Sequence, residues 1–342
     1  MCKKLFLSLC LLLSFVSSVY VHAYTYLYSH GFGGIGLRYH WYKQKNNRFT
    51  KLLFGQHYIF CNDNIKVVKF NDAKFGFIPC YLPNSCLGQD ADIAVLSNGY
   101  DEVDDEDIIL FGVSRGAATA SNFVARHNPE RIKALILESP FDYAERGIDG
   151  FLNIFRLNRL PRSKNFCKSV FYRFSSYDQD GIHPRDIVEN INPDLPVLLV
   201  CSKEDIVIPY QSTVNLYQQL IETGHEHVYL LVLDRGWHAR LLWSADGERY
   251  QNVVHAFYRR YGLPHDADFA ERGQADFERC RPSIQELQEE KNVTHKELKD
   301  TLEEVHVREH RANILSKLSM PFKMVYATIK NSIEYIKTKL RS

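Results

Sequence analysis

From residue 24 onward the chain alternates short, almost uninterrupted apolar runs with stretches in which apolar side chains recur every three or four positions. The runs fall at 25–29, 65–71, 108–112, 134–138, 197–201 and 228–233. Most lack the in/out polar alternation of a half-solvated strand, so they fit strands buried on both faces, the condition of a parallel sheet with helices above and below. Segments 91–96, 116–125, 212–223 and 250–261 have helical spacing and lie between or after the runs. This order predicts an α/β fold rather than segregated strands and helices. No repeat of solenoid period interrupts it.

Two stretches break the rhythm. Residues 141–194, rich in Phe, Arg and Asn, are too long for a bare connection and predict a small helical cap. Its aromatic residues Phe151, Phe155, Phe166, Phe171, Tyr172 and Phe174 either offer an apolar wall to a substrate or simply pack the cap. After Pro264 the composition shifts, which predicts a helical extension over 266–342 following a body of 24–265. Residues 282–315 carry eight acidic and five basic side chains, whereas 316–342 carry six basic and one acidic. In that last part apolar residues from Leu315 to Leu340 recur at helical spacing, giving one apolar and one basic face. Such a helix lies on an anionic bilayer, docks on the body or self-associates as a coiled coil.

At the other end, Lys3 and Lys4 precede an apolar run and the small-residue site Val21-His22-Ala23. Residues 1–23 are therefore expected to be a signal peptide that exports the chain to a periplasmic or extracellular space, with an uncleaved membrane anchor as the alternative.

Composition narrows the functional classes. With 342 residues, 45% hydrophobic and 24% charged, the bulk of the chain is not disordered. Its 42 basic and 41 acidic residues provide no overall field to hold a nucleic acid. Two of the eight cysteines lie in the expected signal. Among the rest, Cys80 and Cys86 bracket a Pro- and Asn-containing turn that a short disulfide loop would fit, while Cys201 at the end of an apolar run reads as a buried thiol. No C-x-x-C pair supports a zinc ribbon or a redox site, and no P-loop with its Lys-Ser or Lys-Thr supports a nucleotide cofactor.

The candidate chemistry starts at Gly112-Val113-Ser114-Arg115-Gly116, a G-x-S-x-G set between an apolar run and a helix that begins Gly-Ala-Ala-Thr-Ala. A serine on a sharp strand-to-helix turn presents its Oγ at the sheet edge, and the flanking small residues let helix and sheet approach. A neutral serine needs a base, and the base needs an acid that fixes its tautomer and balances its charge. Asp205 follows the run 197–201, and His238 follows 228–233, so all three lie beyond strand C-termini in the order Ser, Asp, His. Glu204 is the alternative acid. Ser29-His30-Gly31-Phe32-Gly33-Gly34 is a glycine-rich turn that can aim the Phe32 amide at the site, with the Arg115 amide as the second oxyanion donor. Other motifs carry less weight. His306-Val307-Arg308-Glu309-His310 matches an inverted zinc-protease pattern but sits in a highly charged segment, and His225-Glu226-His227 reads as an exposed turn. Asn292-Val293-Thr294 is a glycosylation sequon.

With elbow, glycine-rich turn, acid and base in this order, residues 24 to about 262 resemble the α/β-hydrolase superfamily, in its serine branch of esterases, lipases, thioesterases and oligopeptidase-like enzymes. The resemblance implies a mostly parallel sheet, no cofactor and acyl transfer through an acyl-enzyme at Ser114. Nothing before Tyr24 matches the superfamily's first two strands, so a reduced sheet of about six is expected. Segment 180–186 is loosely similar to the end of the cap in members that hydrolyse acyl esters or thioesters. The expected function is hydrolysis of an ester or thioester, with a lipid or acyl substrate. An oligopeptidase-like peptidase is the second reading, and a catalytically silent binding protein on the same fold is the third.

Overall fold

A computed structural model describes residues 24–31, 59–61, 64–68, 70, 86–104, 106–154 and 161–287. The expected signal peptide, Phe32, Cys80, the sequon, the His306–His310 motif and the basic amphipathic segment lie outside the described residues.

Six strands form one sheet: β1 (Tyr24–Ser29), β2 (Ile65–Val68), β3 (Asp107–Val113), β4 (Ile132–Glu138), β5 (Val197–Ser202) and β6 (Val228–Leu233). Their order is β2-β1-β3-β4-β5-β6, and every ladder is parallel. Each predicted run is a strand. Successive residues feed opposite cores, which explains the unbroken hydrophobicity. Ile108 and Leu110 face one layer with Leu135, Leu137, Val197 and Leu199, while Ile109 and Phe111 face the other with Ile136, Leu198 and Val200.

Helices α1 (Asp90–Asp101), α2 (Arg115–His127) and, further along, α6 (Tyr210–Glu222) cover the first layer. The second is covered by α7 (Gly247–Arg260) and α8 (Ala267–Glu278). Between β4 and β5 lie α3 (Ala144–Ile154), α4 (Pro161–Phe174) and the single turn α5 (Pro184–Ile187). These occupy the stretch read as a cap. Phe171 and Tyr172 pack with Tyr177 there, whereas Phe166 is 39% exposed. No helix among the described residues is long and apolar enough to cross a membrane.

Three expectations are corrected. The body does not end at residue 265. Helix α8 packs on α7, Phe277 and Cys280 are buried in the second core, and Leu287 is buried in the first. The Leu230 amide donates to the Cys280 carbonyl at 2.6 Å, and the Tyr217 hydroxyl donates to the Pro282 carbonyl at 2.9 Å. The inward face of α8 consists of Ala270, Gly273 and Phe277, an apolar stripe too slight to register among its charged neighbours.

Cys86 forms no disulfide with Cys80; it is a buried thiol. Its Sγ accepts the Asp92 amide at 3.2 Å, and burial with the nearby Asp92 carboxylate pushes the thiol up to about 12.

His225 is not on an exposed turn: it is 2% exposed, beyond the end of α6, and burial pushes its imidazole down to about 4 from an ordinary 6.5. The folded protein therefore refuses a proton that the unfolded chain accepts between those values. Stability is full above about pH 6.5 and declines as the pH falls toward 4. Thermal unfolding midpoints at pH 7.5 and 4.5 should differ less in His225→Leu than in the wild type. An equal drop in both proteins would remove His225 as a source of the acid sensitivity.

Candidate active site

The site sits where the winding of the sheet reverses. Strands β2 and β3 flank β1 on opposite sides, which opens a crevice at the carboxyl ends of β1 and β3. His30-Gly31 follows β1 directly, and Ser114 follows β3. A Cβ on Gly31 would lie 3.3 Å from both the Ser114 Cβ and the Val113 carbonyl, so the turn after β1 rests against the serine.

Ser114 has φ 53° and ψ −117°, a left-handed conformation that non-glycine residues adopt only under tertiary constraint. The constraints are visible. Its amide continues the sheet by donating to the Glu138 carbonyl at 2.8 Å. Its carbonyl accepts the Ala117 and Ala118 amides at 2.9 and 3.0 Å, which starts α2. Both motif glycines are required by contact: a Cβ on Gly116 would fall 2.0 Å from the Ser29 carbonyl oxygen, and one on Gly112 would fall 2.6 Å from the Ala117 Cα.

His238 and Asp205 converge on this turn. The His238 Nε2 lies 2.8 Å from the Ser114 Oγ, and its Nδ1 lies 2.7 Å from the Asp205 Oδ2. A proton on Nδ1 donates to the carboxylate, which leaves Nε2 to accept the serine hydroxyl. The other carboxylate oxygen of Asp205 accepts the Val207 and Ile208 amides, each at 2.9 Å. These bonds fix the orientation of the carboxylate, whose side chain is 1% exposed. Glu204 is directed elsewhere, accepting the Gly236 amide at 3.3 Å. The structure thus brings Ser114, Asp205 and His238 together and leaves the alternative acid outside.

Arg115 presents a feature not anticipated from the motif. Its side chain, 1% exposed, turns into the body and makes a two-pronged pair with Asp92: Nε to Oδ2 at 2.7 Å and a terminal nitrogen to Oδ1 at 2.5 Å. The Phe70 ring stacks 4.5 Å from the guanidinium carbon, and the Gly88 amide also donates to the Asp92 Oδ2 at 2.8 Å. The residue that follows the serine is thereby anchored from behind. Asp92 has no local signal in the sequence. It lies in the first turn of α1 beside Asp90, which pairs with Arg126 at the surface, and only the fold distinguishes the two.

Among the described residues no group of three or more His, Cys, Asp or Glu side chains is arranged to hold a metal ion.

The model of the prolyl oligopeptidase family matches residues 93–261, the span that contains the elbow, the aspartate and the histidine. The chain belongs to the α/β-hydrolase superfamily. It is a serine hydrolase at that level of description. Three solved structures are similar to this hydrolase. An esterase from Pyrococcus furiosus is 19% identical, with 69% of this chain and 82% of the other covered at a TM-score of 0.45. Acylaminoacyl peptidase from Pyrococcus horikoshii is 17% identical, over 69% of this chain and 37% of that one, at 0.44. Monoacylglycerol lipase from Paleococcus ferrophilus is 16% identical, over 69% and 94%, at 0.42. No curated protein matches the hydrolase in sequence.

Proposed function

We propose that the hydrolase cleaves an ester or thioester through Ser114, His238 and Asp205, with a lipid or other acyl compound as substrate. The observation that carries this reading is the unbroken line from the Asp205 Oδ2 through both ring nitrogens of His238 to the Ser114 Oγ, with contacts of 2.7 and 2.8 Å. In the first half-reaction the Ser114 proton passes to the His238 Nε2 as the Oγ bonds to the substrate carbonyl carbon. The resulting imidazolium is balanced by Asp205. The oxyanion falls to the amides of Phe32 and Arg115, the latter at the start of α2, where the helix field favours negative charge. Collapse of this intermediate expels an alkoxide or thiolate, which takes the proton from His238. Water then gives a proton to the same nitrogen and attacks the Ser114 acyl ester; His238 returns that proton to the departing Ser114 Oγ as the carbon–Oγ bond breaks and the acid is released. The apolar surroundings of the nucleophile are the basis for an acyl substrate: Ala118, one helical turn beyond Ser114, belongs to a buried cluster with Phe141, Ile148, Val207 and Ile208.

A peptidase is the second reading, favoured by the family model over 93–261. Specificity constants separate the two. p-Nitrophenyl esters of increasing acyl length and acyl thioesters are expected to be turned over at least 100-fold faster than N-acyl-aminoacyl p-nitroanilides, after correction for their uncatalysed rates. Preference for the anilides would assign the site to peptides.

A further inference from the structure

We infer that helix α3, the first element of the cap stretch, sets the position of Asp205, and that Gly150 is its point of contact. This inference rests on the proposed serine-hydrolase chemistry of the same site. Asp205 stands on a loop after β5, and its orientation depends on the Val207 and Ile208 amides, both donating to Oδ1 at 2.9 Å. Those two residues lie directly under α3. A Cβ on Gly150 would be 1.8 Å from the Val207 carbonyl oxygen, 2.6 Å from its carbonyl carbon and 2.9 Å from its Cα. One turn earlier, a Cβ on Gly147 would be 3.2 Å from the Ile208 Cδ1. The same helix contributes Ala144 and Ile148 to the apolar cluster that includes Phe141, Val207 and Ile208.

The backbone of α3 therefore touches the backbone of the acid loop at Gly150 with no side chain between them. Backbone against backbone has no rotamer to absorb a displacement, so a shift of the helix moves Val207 and hence the amides that hold the carboxylate. Gly150 is a positioning residue: it acts on His238 through Asp205 and touches no reacting atom. The seating of the cap helix and the alignment of the acid are then one event.

The test compares Gly150→Ala with the wild type in steady-state turnover of a p-nitrophenyl ester and in the low-field proton resonance of the His238 Nδ1–H bonded to Asp205. A misplacement on the order of 1 Å is expected to lower kcat about 100-fold with KM little changed, and to shift or abolish the low-field resonance. Unchanged kcat with an unchanged resonance in a folded Gly150→Ala protein would overturn the inference. So would a rise in KM at constant kcat, which would make α3 a substrate wall. If Gly150→Ala does not fold, Gly147→Val applies a smaller push through the Ile208 side chain. It should give a smaller loss of kcat and a smaller shift of the resonance; no change in either overturns the inference. The resonance needs no turnover. A wild type that fails to react with ester or probe therefore defeats the hydrolase reading separately, while the shift on Gly150→Ala still reports whether α3 holds the acid.

Discussion

Ser114→Ala is expected to abolish labelling by a fluorophosphonate probe and to lower ester turnover by roughly 10⁴-fold or more, while the unfolding midpoint stays close to that of the wild type. The size of the loss follows from the chemistry. Without the Oγ no acyl-enzyme forms, and only binding and the oxyanion donors remain to assist a direct attack by water. The small stability effect follows from the structure. The side chain loses one hydrogen bond, to His238, at a position whose strained φ of 53° is enforced by the Glu138, Ala117 and Ala118 bonds of its own backbone. Those bonds are untouched by the substitution, so the change should remain within about 1 kcal/mol. His238→Ala should cost nearly as much activity, and the double variant hardly more than either alone, because the three side chains act as one unit. Independent, multiplying losses in the double variant would show that Ser114 and His238 do not share a proton. Retained labelling in Ser114→Ala would move the nucleophile to another residue.

The layered sheet was readable because each strand is apolar on both faces, a pattern that no surface element shares. Site residues were readable for a related reason. A parallel sheet places every strand's carboxyl end on one edge, so Ser114, Asp205 and His238, each just beyond a run, had to share that edge. Less legible was whatever depended on close backbone approach. Helix α1 runs to Asp101, past the end expected at residue 96. In the fold Gly99 lies inward, where a Cβ would be 3.3 Å from the Val68 side chain. Likewise, Gly147 and Gly150 carry no hydrophobic signal, yet they are the contact face of α3. Composition also misled at α8, where charge on the outer face outweighed three inward residues. In α1 and α3 the deciding feature was a missing side chain, which a pattern of hydrophobic positions does not record.

Asp92→Asn is expected to destabilise the fold by about 3–5 kcal/mol. The substitution preserves shape and removes charge, so its effect isolates electrostatics. Arg115 is 1% exposed, and an amide at position 92 takes away the carboxylate charge that its guanidinium pairs with. Phe70, stacked at 4.5 Å, offers only a partial substitute through its ring face. Urea unfolding would report the loss as a lower midpoint at constant slope. The paired change Asp92→Leu with Arg115→Met should recover most of the stability, because removing both charges also removes the cost of keeping them from water. Recovery of stability without recovery of turnover would then give the pair its meaning. An ion pair that contributes little net stability would be holding the Arg115 amide, the donor next to the nucleophile, in register with the oxyanion. If Asp92→Asn instead remains within 1 kcal/mol of the wild type, the guanidinium reaches water once its partner is gone. The anchor behind the elbow would then be Phe70 and the packing of α2 rather than charge.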